Sequence, residues 1–323
     1  MILARWVEIW LQEYTGDKKY LTVKYYKAQC NTHIVLSLGA VKLAELTAPQ
    51  IQKFYNALLR DGLVPKSVRN IHGILTKCLS TAVSVGYIRD NPANRVTLPR
   101  VEKKEVHPLT DEQVKDFLKI SVGDEHEILL KVILFTGLRE AEAIGLTWDC
   151  IDFQAGTIKV SRQLQSRPLA DGGYAFTSLK NDKTRMLKPA AFVMDFLKRR
   201  YREQAAQRMA AGELWKVWNT PSEQKQALVF TTAIGNHLRP ATVYNHYKKL
   251  AAQIGAPESR VHDLRHTFAV LSFKNGDDIK TVQGNLGHAT AAFTLDVYGY
   301  VSERMKEDSA DRMQGYIKGI VDL

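Results

Sequence analysis

Cysteine is scarce in this 323-residue chain: Cys30, Cys78 and Cys150 stand far apart, in no CxxC pair. That spacing excludes a disulfide framework and a zinc ribbon. It reads as three reduced core thiols, so a cytoplasmic location is expected. No apolar run approaches the roughly 20 residues of a membrane span, so no membrane partner is expected. The opening segment MILARWVEIWLQEY is amphipathic with embedded acids, unlike a signal or transit peptide. A P-loop, an HExxH and a GxGxxG are all missing, which leaves nucleotide and zinc-protease chemistry without support, and no cofactor is expected. A clustered set of carboxylates for a metal-dependent nuclease is missing too. Negative charge is the last shortage: 34 acidic against 45 basic side chains leave a formal net charge of +11. An excess of that size points to a polyanionic partner, although an unspecific basic protein has the same balance.

What is present begins with helical periodicity. Leu3, Trp6, Val7, Trp10, Leu11 and Tyr14 form an apolar stripe, and a basic helix over Val23 to Ile34 carries Lys24 and Lys27. Thr47 with Gln50 reads as a capping box that opens a helix to about Arg60. Pro65 introduces a fourth helix, about Ser67 to Val85, with Val68, Ile71, Leu75, Leu79 and Ala82 inward. Its Lys66, Arg69, His72 and Lys77 are expected outward, where basic residues suit phosphates, although any one lysine is more simply a solvated surface residue. Residues 1–92 are thus expected to form a small helical domain, and 93–108, ANRVTLPRVEKKEVHP, an extended linker.

A second domain is expected over 109–323. It opens on a capping box, Thr110 with Gln113, and continues into an almost wholly apolar helix, Ile128 to Phe135, ended by a left-handed Gly137. Arg139 follows at once, at the start of the next helix, with pairing to Glu142 as the plain structural alternative. Between Asp152 and Pro189 the period becomes alternating, with a reversal at Gly172-Gly173. Ala175 to Leu179 and Thr184 to Leu187 are read as a hairpin whose tip carries Lys180 and Lys183. Helices are expected over Phe192 to Ala211 and Ala241 to Ile254, the latter introduced by Arg239; residues 212–226 between them look like an insertion. A terminal helix from Glu303 shows a thin stripe of Met305, Met313, Ile317 and Ile320.

The densest stretch is Val261 to Val301. His262, Arg265 and His266 fall at i, i+3, i+4, sharing a face with Ala269, while Leu264, Phe268 and Leu271 fall opposite. The polar trio is therefore expected to leave the core, followed by Leu286-Gly287-His288 and, ten residues after His288, Tyr298. Histidines, an arginine and a tyrosine arranged so are the layout of a phosphate site with a nucleophile.

TGLREAEAIGL, LKNDKTR, HDLRH, LGH and TLDVYGYV, in this order, resemble the tyrosine recombinases, the phage-integrase family. The helical first domain, with its HIVLSLGAVKLAELT segment, resembles that family's core-binding domain, so the likeness covers nearly the whole chain. It implies a mainly α fold with a small antiparallel β-sheet, in two domains that close as a C-shaped clamp on duplex DNA. It implies strand exchange through a covalent 3′-phosphotyrosyl intermediate, without metal or nucleotide, in the service of a mobile element. Carried over position by position, Tyr298 is the nucleophile, Arg139 and Arg265 meet the phosphate charge, and Lys180 protonates the 5′-oxygen leaving group, with Lys183 as the alternative. His262 serves as proton acceptor or phosphate donor, His288 as a second donor, and Glu142 orients the first arginine. Tyr300 competes for the nucleophile's role, but the family often has histidine there. Lys24, Lys27, Lys66, Arg69 and Arg239 are expected on DNA phosphates. The expected partners are specific recombination sites, other copies in a tetramer on DNA, and accessory directionality or bending proteins. The family's N-terminal arm-binding domain is expected to be absent or removed. A type IB topoisomerase shares the chemistry, and a non-catalytic DNA-binding protein shares the phosphate contacts; neither accounts as well for the complete set.

Overall fold

The computed structural model of the chain describes residues 1–102, 107–168, 173–179, 183–216, 227–287 and 303–320. Its contacts divide it into two units, Met1–Lys104 and Glu105–Leu323.

The first unit is helical. Helix α1 (Leu3–Glu13) buries Leu3, Trp6, Val7 and Trp10. Helix α2 (Tyr20–Gln29) runs through a wider π turn, Cys30–Val35, into the short α3 (Leu36–Leu38). Helices α4 (Ala48–Arg60) and α5 (Pro65–Ser84) complete the core. At the start of α4 the Thr47 N–H donates to Gln50 Oε1 at 2.8 Å, part of the expected box. The two tryptophans fix α1 on α5 by their polar edges: Trp6 Nε1 donates to the Cys78 carbonyl at 3.0 Å and Trp10 Nε1 to Thr81 Oγ1 at 3.2 Å. Two expected surface residues of α5 are otherwise engaged. His72 is half-buried, its Nδ1 3.0 Å from Tyr55 OH, and Arg69 Nε donates to the Pro99 carbonyl at 2.8 Å. That second bond belongs to a larger difference. Residues 93–99, expected as linker, dock on the first unit: Pro92–Arg95 form a 3₁₀ turn, and Gln52 bonds both the N–H and the carbonyl of Thr97. A stretch with no apolar period still finds a place when side chains satisfy its backbone.

The second unit starts at α6 (Asp111–Ile120), where Thr110 and Gln113 cap each other reciprocally. Helix α7 (Glu127–Thr136) is buried at every residue except Phe135, and ends at Gly137 with φ 66°. Arg139 caps the short α8 (Glu140–Ile144). The strands are β1 (Ile151–Asp152), β2 (Thr157–Val160), β3 (Arg162–Ser166), β4 (Tyr174–Ser178) and β5 (Arg185–Leu187). β3 and β4 form an antiparallel hairpin, while β5 joins β1 and β2 in a separate antiparallel sheet of order β1-β2-β5. The expected hairpin of 175–179 with 184–187 is therefore corrected. Alternation reports which way a side chain faces, not which strand is its neighbour.

Helices α9 (Ala191–Ala211), α10 (Pro240–Gln253), α11 (Val261–Lys274), α12 (Ile279–Leu286) and α13 (Glu303–Lys318) follow. On α13 and just after it, Met313, Tyr316, Ile317 and Ile320 are all exposed.

Candidate active site

The site is organised by the end of α12. Gly287 closes that helix in the left-handed conformation, φ 63°, and leaves its last carbonyls without helical partners. Three arginines from three elements take them up in succession. Arg185 of β5 donates from Nε to the Asn285 carbonyl at 2.8 Å. Arg265 of α11 donates from Nη2 to the Leu286 carbonyl, and from Nη1 to the Gly137 carbonyl. Arg139 donates from Nη2 to the Gly287 carbonyl at 3.3 Å. Cations at a helix C-terminus also face the negative end of its dipole.

One carboxylate ties two of them together. Glu142 accepts from Arg139 Nη1 at 2.7 Å and from its backbone N–H at 3.0 Å, and from Arg185 Nη2 at 2.6 Å. Its side chain is 1% exposed. Burial alone pushes such a carboxyl's pKa up; the opposing bonds and charges of Arg185 and Arg139 prevail and hold it down to about 2. Three guanidiniums against one carboxylate leave two positive charges unbalanced, and Arg265 feels this most. Burial first, then the Arg139 charge, pull its pKa down to about 9, still a cation at neutral pH. Glu140, beside Arg139 in sequence, goes the other way: burial pushes its carboxyl up to about 7.

His262 stands one turn before His266 on α11, ring centroids 4.8 Å apart. The His262 residue is exposed, yet protein around its ring, then His266, Arg265 and Arg139, pull its pKa down to about 4. Exposure moderates the burial contribution; the cationic neighbours remain, and the ring is neutral at pH 7. The expectation that the whole trio leaves the core is corrected. Arg265 is 1% and His266 6% exposed, and α11 is buried on nearly all sides. Backbone carbonyls offered by Gly137 and α12 make an interior place for a guanidinium that a hydrophobicity pattern cannot foresee.

The structure thus brings together Arg139, Glu142, His262 and Arg265 among the expected residues. Lys180, His288, Tyr298 and Tyr300 lie outside the described residues, and Lys183 is exposed. Arg185 went unrecognised in the sequence, although a signal existed. It shares strand parity with Leu187, which is 3% exposed, while Met186 between them is 59% exposed. Of the expected DNA-contacting residues, Lys24, Lys27, Lys66 and Arg239 are exposed, and so is Arg69 despite its bond to Pro99.

A buried arginine cluster with excess positive charge suits an anion, and a helical unit followed by a mixed α/β unit matches a known architecture. The chain belongs to the phage integrase family: residues 107–304 match that family, and residues 2–59 match its N-terminal SAM-like domain. It is therefore a tyrosine recombinase, an enzyme that cuts and rejoins DNA. It is similar to a tyrosine recombinase XerC-like protein of Caldanaerobacter subterraneus, 25% identical over 94% of this chain and 80% of that protein. It is also similar to the ICEBs1 integrase of Bacillus subtilis, 26% identical over 95% of this chain and 81% of that one. In fold it resembles the Tn1549 transposon integrase solved with transposon right-end DNA, with a TM-score of 0.81 at 20% identity. That match covers 97% of this chain and all of the other. A λ integrase dimer bound to a core site matches with a TM-score of 0.65 at 17% identity, over 92% and 95% of the two chains.

Proposed function

We propose that this recombinase integrates and excises a mobile element, with Arg139, Arg185 and Arg265 forming the cradle for the scissile phosphate. The observation that carries the reading is the unbalanced charge of the cluster: three guanidiniums, two of them paired to the single carboxylate Glu142. A phosphodiester in transit to a pentacoordinate state gains charge on its non-bridging oxygens, and planar donors that stay protonated suit that charge. Tyr298 attacks the phosphorus, and its ester conserves the bond energy for rejoining. Lys180, with Lys183 as alternate, delivers a proton to the departing 5′-oxygen. His262, neutral at pH 7, accepts the phenol proton or donates to the phosphate, and His288 supplies a second donor. Glu142 holds Arg139 and Arg185 in place.

Lys24, Lys27, Lys66 and Arg239 neutralise backbone phosphates, so affinity falls with salt. The partners are duplex DNA at specific sites and, for strand exchange, further copies in a tetramer on DNA. The exposed Met313, Ile317 and Ile320 of the terminal helix and its end favour that helix as the contact between copies. The cytoplasm, where the DNA is, is the proposed compartment.

The test is incubation with a nicked suicide DNA in EDTA, followed by a denaturing gel. A covalent protein–DNA band is expected, and its absence in Tyr298→Phe. A band that disappears with EDTA, or persists in Tyr298→Phe, overturns the reading.

A further inference from the structure

A second cluster lies at the opposite end of α7, some 10 residues and so about 15 Å along the helix from Gly137. His126 occupies the N-cap of α7, 2% exposed, and its Nε2 has no hydrogen-bond partner among the described residues. His246 of α10 faces it, ring centroids 4.6 Å apart and tilted by 59°. Glu125 supplies a carboxylate, with Oε2 3.9 Å from His246 Nε2. One ligand atom from each of these three residues lies within 4.8 Å of the others. A fourth residue braces them: Asp124 Oδ1 accepts the His126 backbone N–H at 2.7 Å, and its Oδ2 is 3.5 Å from His246 Nδ1.

A buried imidazole nitrogen with nothing to bond is costly, and such groups call for an explanation. The two imidazoles stand together beside the Glu125 carboxylate, and all three side chains are donors to metals. We propose that Glu125, His126 and His246 hold one divalent transition ion of the zinc class, with Asp124 as the outer carboxylate that orients His246. Bonds of about 2.0–2.1 Å set ligand atoms roughly 3.3 Å apart in a tetrahedron. Closing from separations of up to 4.8 Å calls for rotation of exposed Glu125 and half-buried His246 around the buried His126. Water fills the fourth position. The ion joins α10 to the start of α7, so it stabilises the helix that ends beside Arg265 and takes no part in strand cleavage.

The full chain, stripped with EDTA and dialysed, is titrated with ZnCl₂ by calorimetry and by thermal unfolding, and with CoCl₂ by visible absorption. One equivalent is expected to bind, with cobalt bands of low-coordinate nitrogen–oxygen ligation. At about 100-fold excess over Kd the Tm is expected to rise by roughly 5–10 °C. His246→Gln and Glu125→Gln, at accessible positions, are expected to keep the metal-free Tm and to lose at least about tenfold in affinity. His126→Gln risks the fold itself and is not needed. Absence of binding overturns the proposal. So does undiminished binding in His246→Gln, which would place the ion elsewhere, for instance on a cysteine.

Discussion

Replacing Glu142 by Gln removes one negative charge from among three guanidiniums and keeps the shape of the side chain. The magnitude follows from the carboxyl's own titration. Its pKa falls from the ordinary 4.5 to about 2 on folding. At about 1.4 kcal/mol per tenfold change, the charge contributes about 3 kcal/mol at neutral pH. The same range, about 3–5 kcal/mol, is usual for removing one partner of a buried ion pair. The sign is fixed by the direction of the shift. A depressed carboxyl stabilises the fold above its unfolded pKa, and that contribution is lost as pH falls toward the folded one. Urea unfolding of both proteins at pH 7 is expected to show Glu142→Gln weaker by about 3 kcal/mol, and at pH 3 by only roughly 1.5 kcal/mol. A gap that is the same at both pH values, or below about 1 kcal/mol at pH 7, would refute the claim that charge balance holds the cluster.

Glu140 titrates oppositely, with a carboxyl pushed up to about 7, so the wild-type protein loses stability as pH rises from about 5 through 7. Glu140→Gln is expected to be more stable than wild type at pH 8 and equal to it at pH 4, measured by thermal unfolding at each pH. Gly137→Ala meets both a φ of 66° and side-chain atoms of Leu286 and Phe268 at 2.6 Å, so a loss of about 1–3 kcal/mol in urea unfolding is expected. Arg265→Ala is expected to slow covalent-complex formation on nicked DNA by at least about 100-fold in single turnover, as for a lost oxyanion donor. Deleting 304–323 is expected to leave the Tm and single-site binding unchanged but to abolish two-site complexes on native gels; a lowered Tm would assign the helix to its own core.

Helices with caps or breakers at their ends were legible in the sequence, because those signals are local: Thr47 with Gln50, Thr110 with Gln113 and Pro65 at starts, Gly137 at a finish. The buried α7 was legible from an apolar run that only Lys131 interrupts, and Lys131 is paired to Glu127 one turn earlier. What was not legible depended on partners distant in the chain. Residues 93–99 gave no periodic signal because Gln52 and Arg69 hold them. β5 pairs with β2 and not with β4, which alternation does not reveal because it carries no pairing information. Arg139 and Glu142 were readable as an i, i+3 pair, but the turn over which Arg265 and Arg185 converge is set by α12. Arg265 therefore looked like a surface residue, and Arg185 went unremarked.

The three arginines anchored on one helix end also set a timetable for synthesis. Arg139 finds its carbonyl acceptor 148 residues downstream, and Arg185 finds its own 100 residues downstream. At about 5–20 residues per second, Arg139 leaves the ribosome roughly 7–30 s before Gly287 exists. The carboxylate that pairs with it in the folded protein, Glu142, is already present three residues away. The nascent chain can thus complete its first unit while the phosphate cradle is still in pieces, and the cradle closes only when the last turn of α12 emerges.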